Sequence, residues 1–131
     1  MKSPFHRSVL ALAAIGLVAG VSLANAAVGT TTPELYRTAE DQRALHNLQK
    51  AVRLLRYGGD AYFFSLLAAG HMDIALDAGM QAYDIAALIP IIEGAGGVVG
   101  SWDGSNPPEG GNVICAGSPA LLEAAIAVMR S

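Results

Sequence analysis

Three aspartates hold the most chemistry in this sequence. Asp60 follows Gly58-Gly59 and precedes an apolar run, Asp77 ends an alternating segment just before Ala78-Gly79, and Asp84 stands immediately before Ile85-Ala86-Ala87-Leu88-Ile89. Each falls at or near the boundary of an expected element, among glycines and small residues. Charged groups in so apolar a setting need partners, because an unpaired buried carboxylate is costly. Spacing leaves two readings open. In one, Asp60 and Asp84 only cap the helices they open, accepting from free first-turn amides and complementing the positive helix end. In the other, they converge at one edge of a sheet and bind a hard cation such as Mg2+, which prefers oxygen ligands and is commonly held by one or two carboxylates plus a substrate phosphate.

Other chemistries are excluded or weakly supported. The chain has 131 residues, with 8 Lys+Arg against 11 Asp+Glu and a formal charge of −3, so a generally basic nucleic-acid binder is ruled out. Its composition, 53% hydrophobic and 15% charged, is too apolar for disorder and implies one packed domain. Cys115 is the sole cysteine, which excludes an intramolecular disulfide framework and a cysteine-built zinc site. Gly94-Ala95-Gly96-Gly97 lacks the Lys-Ser/Thr of a phosphate-cradling loop, and it follows a helix and precedes a strand, the reverse of a dinucleotide fingerprint. No nucleophile elbow surrounds Ser65, Ser101, Ser105 or Ser118, and His6, His46 and His71 are scattered.

The elements that must position these residues follow from pattern. Ala26 to Thr32 is small and β-branched, a short buried strand ending at Pro33. Thr38 caps a helix whose apolar stripe is Leu45, Leu48, Val52 and Leu55. Ala61 to Ala69 reads as a buried helix closed by Gly70. From His71 the period becomes two, with Met72, Ile74 and Leu76 alternating with Asp73, Ala75 and Asp77, which predicts a half-buried strand. The helix at Asp84 should kink or stop early at Pro90, because proline removes a hydrogen bond and crowds the Ala86 carbonyl. Val98-Val99 begins a strand running to Trp102, Asn106 to Gly111 is a loop, and Val113 to Ala116 is a last strand. Ser118-Pro119 then starts a final helix bearing Leu121, Leu122, Ala125, Ile126 and Met129. The order predicts an α/β layered domain, a sheet covered by helices.

Two stretches resemble a known family. Tyr83-Asp84-Ile85-Ala86-Ala87 through Glu93-Gly94-Ala95-Gly96-Gly97 is similar to the C-terminal signature of the inositol monophosphatase family, W-D-x-A, then Ala or Gly, an apolar helix and E-A-G-G. Tyrosine in place of tryptophan at position 83, with Arg56-Tyr57-Gly58-Gly59-Asp60-Ala61-Tyr62 upstream, resembles the histidinol-phosphate phosphatase branch. Trp102-Asp103-Gly104 and Ala116-Gly117-Ser118-Pro119-Ala120-Leu121 fall where that family places its last strand, turn and final helix. The resemblance starts at about Ser22, so the fold it implies is the C-terminal half of the inositol monophosphatase fold over residues 22–131.

The resemblance implies a Mg2+-dependent phosphomonoesterase acting through metal-activated water on a small phosphate monoester. It makes Asp84 a metal ligand, puts Gly58, Gly59 and Asp60 at the substrate-facing helix start, and puts Asp77 where an acid, usually glutamate, contacts the alcohol part of the substrate. The family also uses an upstream glutamate and a D-P-(Ile or Leu)-D-G-T segment, and neither occurs in these residues. One carboxylate cannot impose the near-octahedral geometry Mg2+ demands. This chain alone is therefore expected to be inactive, with a separate N-terminal half, or a second copy in a homodimer, as conceivable partners.

Residues 1–21 stand apart. Lys2, His6 and Arg7 precede the apolar run Val9 to Leu23 and the triplet Ala24-Asn25-Ala26, the order of a secretory signal with cleavage near Ala26. The run is short for a membrane span, so no permanent anchor is expected. Cleavage there would remove the start of a core strand. Family resemblance points to the cytoplasm, and the leader points to an exported, non-catalytic or partner-binding domain on the same scaffold.

Overall fold

The structure is a computed structural model that describes residues 20–131. The basic start and most of the apolar leader lie outside the described residues.

A five-stranded sheet forms the middle layer, in the order β2-β1-β3-β5-β4. Its strands are β1 (Ala27–Gly29), β2 (Leu54–Arg56), β3 (Ile74–Met80), β4 (Val98–Gly100) and β5 (Gly111–Ala116). The helices are α1 (Ala39–Ala51), α2 (Ala61–Ala68), α3 (Ala82–Ala86), α4 (Leu88–Gly94) and α5 (Pro119–Arg130). β1 lies parallel to both β2 and β3, whereas β5 runs antiparallel to β3 and β4. The path from β1 through α1 to β2 moves one way across the sheet, and the path from β2 through α2 to β3 moves back. Two right-handed crossovers in opposite directions place their helices on opposite faces.

The core divides accordingly. Ile74, Leu76 and Ala78 of β3 and Ile114 and Ala116 of β5 join α1 and α5 through Leu45, Leu48, Leu121, Ala125 and Met129. Ala75 of β3 and Val113 and Cys115 of β5 join α2, α3 and α4 through Phe63, Phe64, Leu67, Ile85, Leu88 and Ile92. This alternation is the period-two pleat with both faces covered. The predicted half-buried strand is thus corrected: Ile74 to Ala78 are all buried. Asp73, just before the strand, is half-buried, and its carboxylate accepts from the Ala27 N–H at 2.8 Å.

Two caps match expectation. The Thr38 hydroxyl accepts from the Asp41 N–H at 3.0 Å, and that of Ser118 from the Leu121 N–H at 3.2 Å. Several boundaries differ: β4 ends at Gly100 rather than Trp102, and β5 starts at Gly111 rather than Val113. Leu55 does not extend the α1 stripe, because α1 ends at Ala51 and Leu55 pairs with Val28 in β2. The first strand is shorter than Ala26 to Thr32, and Thr30 and Thr31 turn to side-chain bonding instead. The break expected at Pro90 falls at Ala87, between α3 and α4, so Pro90 sits in the first turn of α4, where its missing N–H costs nothing.

Candidate functional site

The parallel strands β1, β2 and β3 all point their C-terminal ends to one side of the sheet, where the direction of chain progression reverses. Such switch points are where open α/β sheets form crevices. A cavity of about 350 Å3 lies there, and Asp60, Asp77 and Asp84 all line it, with Thr31, Phe64 and Leu88 among the other walls.

The three carboxylates differ in state. Asp77 is 6% exposed and tightly held. Its Oδ1 accepts from the Thr30 hydroxyl at 2.8 Å and the Thr31 N–H at 2.7 Å, and its Oδ2 from the Thr31 hydroxyl at 2.7 Å. Burial raises its pKa above the usual carboxylate range; the Thr31 and Thr30 hydrogen bonds oppose this, and the nearby Asp60 charge adds to it. Thr30 also meets the buried Tyr36 hydroxyl at 2.8 Å, and since Thr30 gives its proton to Asp77, Tyr36 is the donor in that pair. The Tyr36 ring stacks on Trp102 at 5.9 Å between centroids.

Asp60 is exposed and occupies the N-cap position of α2, yet its side chain makes no cap hydrogen bond. Its φ of +46° is the only positive value at a non-glycine among the described residues. Such backbone costs of order 1–3 kcal/mol and collects at functional sites. Gly58, on the approach, donates its N–H to the Thr31 carbonyl at 2.8 Å and ties this turn to the Asp77 clamp. Gly59 lets the turn close on α2, because a Cβ there would run into the Phe63 ring.

Asp84 is the third residue of α3, whose N-cap is Gln81. The cap expected at Asp84 is therefore corrected, and for neither Asp60 nor Asp84 does a hydrogen bond within the described residues engage the carboxylate. Both leave free oxygens toward a shared cavity, whereas Asp77 has spent its own on threonines. Tyr83, beside Asp84, is 77% exposed. Sequence reasoning missed Thr30 and Thr31, for which the run Thr30-Thr31-Thr32 between a strand and Pro33 was the available sign. Cys115 offers no nucleophile, since burial, and then the charge of Glu93, pushes its thiol up to about 12.

A model of the inositol monophosphatase family matches residues 14–131. The chain belongs to the inositol monophosphatase family. It is 39% identical over 82 residues to the bifunctional phosphatase IMPL2, chloroplastic, of Arabidopsis thaliana, covering 63% of this chain and 23% of that protein. It is 48% identical over 44 residues to a histidinol-phosphatase of Chlorobaculum parvum, covering 34% of this chain and 17% of that protein. The structure of an inositol monophosphatase from Zymomonas mobilis superposes with a TM-score of 0.77 at 36% identity, covering 85% of this chain and 44% of that one. The chain thus spans less than half the length of each of these relatives. The α/β fold matches the corresponding part of the family fold.

The donor set fits one wall of a hard-cation centre. Asp84 and Asp60 present free carboxylate oxygens to the same space, but among the described residues no three His, Cys, Asp or Glu side chains are grouped to hold a metal ion. Nor is any described helix long and apolar enough to cross a membrane.

Proposed function

We propose that residues 22–131 form the C-terminal part of a Mg2+-dependent phosphomonoesterase of the histidinol-phosphatase-like kind, silent until completed by the rest of the family's metal site. The observation that carries this is the free Asp84 carboxylate on a cavity it shares with Asp60 and Asp77. Asp84 supplies one oxygen ligand, and the remaining ligands come from protein outside these 131 residues, on the same polypeptide or another. When bound, the cation supplies charge neutralisation and an activated water. This chain's own residues bind and orient: Gly58 and Gly59 shape the turn, Asp60 projects an exposed carboxylate at the cavity, and Asp77 forms a fixed acidic wall. With both oxygens taken by Thr30 and Thr31, Asp77 contacts the alcohol part of a substrate only by sharing those donors' acceptor. The branch reading is supported by the Tyr83-Asp84 pair, by the Arg56 to Tyr62 stretch, and by the similarity to a histidinol-phosphatase. By family resemblance, we propose the cytoplasm as its compartment.

The test is complementation. The purified chain is mixed with a polypeptide carrying the family's N-terminal half and Mg2+, and phosphate release is measured from histidinol phosphate and from inositol 1-phosphate. Release by the mixture and by neither part, faster with histidinol phosphate, supports the proposal. No release, or release indifferent to Asp84→Asn, rejects it.

A further inference from the structure

Aside from Tyr36, Trp102 and Cys115, the buried polar side chains among the described residues are Thr30, Asp77 and Asn112. Burying polar groups is costly unless they are paired, so where a fold places them is informative. All three converge on the same short stretch of β3. Thr30 holds Asp77 from the β1 side, and Asn112 holds Gly79 from the β5 side.

The β5 side is irregular. Asp77 pairs with Val113 and Met80 with Gly111, so three steps along β3 face two along β5, and the ladder carries one extra residue. Bulges of this kind re-aim a strand and collect beside active sites. Gly79 takes up the bend at φ +66°, and its N–H donates to Asn112 Oδ1 at 3.0 Å. Asn112 is 7% exposed and passes the bond on, its Nδ2 donating to Asp41 Oδ1 at 2.8 Å. Asp41, in the first turn of α1, also accepts from Trp102 Nε1 at 3.1 Å. The bulged segment supplies four consecutive walls of the cavity, Asp77, Ala78, Gly79 and Met80.

We propose that Asn112, backed by Asp41, is a positioning residue: through Gly79 it sets the bend of β3 that aims this wall at Asp60 and Asp84. Its value for catalysis rests on the function proposed above; its hold on the bulge does not. Neither residue lines the cavity. The pair has a defined polarity, carboxylate on α1 and amide on β5, and this polarity can be exchanged. Asn112→Asp sets two carboxylates face to face. Adding Asp41→Asn restores one donor between them and leaves an acceptor for the Gly79 N–H, provided that the new amide at position 41 turns so that its oxygen, and not its nitrogen, meets Trp102 Nε1.

Amide hydrogen exchange of the full chain, resolved by residue, tests this. Asn112→Asp should speed exchange at Gly79 by about tenfold or more, the scale of one lost bond to a charged group, relative to the change at Ile114 in the centre of β5. The paired swap should return Gly79 to the parent rate. Equal acceleration at Gly79 and Ile114 marks a role in global stability only and overturns the proposal, as does a swap that fails to fold or leaves Gly79 unprotected. If Asn112→Asp alone does not fold, the swap decides. In the complemented phosphatase, the single variant should lower kcat/KM about tenfold and the swap restore it. Absence of phosphatase activity in the parent mixture counts against the proposed function and leaves the exchange result to judge the bulge.

Discussion

Thr30→Val removes one hydroxyl and little volume, and the clamp on Asp77 gives its cost. The Thr30 hydroxyl donates to Asp77 and accepts from Tyr36, both at 2.8 Å, inside the core. Losing a bond to a charged acceptor costs about 1.5–3 kcal/mol, and leaving the Tyr36 hydroxyl unpaired about 1–3 kcal/mol. Together they remove roughly 3–5 kcal/mol, a large share of the about 5–15 kcal/mol that holds a typical domain. Urea unfolding followed by the fluorescence of Trp102, which stacks on Tyr36, measures this directly. Thr30→Ser keeps the hydroxyl and should lose only about 1 kcal/mol for the missing methyl. Adding Tyr36→Phe to Thr30→Val deletes the stranded hydroxyl and should recover about 1 kcal/mol or more. A Thr30→Val loss below about 1 kcal/mol, or a Tyr36→Phe cost that simply adds to it, refutes the network as the source of stability.

Further outcomes follow from Asp77, from Asp60 and from the turn that leads into α2. The Asp77 pKa is raised in the fold above the unfolded value of 3.8, so between the two values the folded chain binds the extra proton, and stability falls as pH rises through that window. Asp77→Asn should abolish that component of the slope in a pH series of urea midpoints; an unchanged slope contradicts the raised value. Asp60→Gly relieves the backbone at φ +46° and should stabilise by about 1 kcal/mol while weakening substrate binding in the complemented enzyme, a trade visible by pairing a melting curve with a KM measurement. Gly59→Ala drives a methyl group into Phe63 and should cost about 1–3 kcal/mol in the same unfolding assay.

Much of the scaffold was legible where signals are local. Thr38 and Ser118 announced their helices because a cap and its amide lie within one turn, and the Tyr83-to-Gly97 signature located Asp84. Signals spread across the chain were not. Leu55 continues the apolar spacing of α1, so only pairing with β1 reveals a strand. The alternation of Asp73, Ala75 and Asp77 mimics a solvated face, because Ala75 gives little apolar signal and the partners of the two carboxylates lie 46 and 47 residues away in sequence. The same distance hid the roles of Thr30 and Thr31. Spacing left open whether Asp60 and Asp84 only cap helices or meet at one edge of the sheet; that both line one cavity with Asp77, and that Asp77 is clamped while they are free, needed coordinates.

The proposed function makes Asp84 one wall of a cation site whose other ligands come from protein outside this chain. Its most direct measurement is the Mg2+ dependence of phosphate release by the complemented mixture. Asp84→Asn should abolish release or move half-activation to much higher Mg2+, while Asp77→Asn, whatever its effect on turnover, should leave the Mg2+ requirement in place. An Asp84→Asn mixture that turns over at the parent Mg2+ concentration, or the parent chain releasing phosphate with no partner, would contradict it.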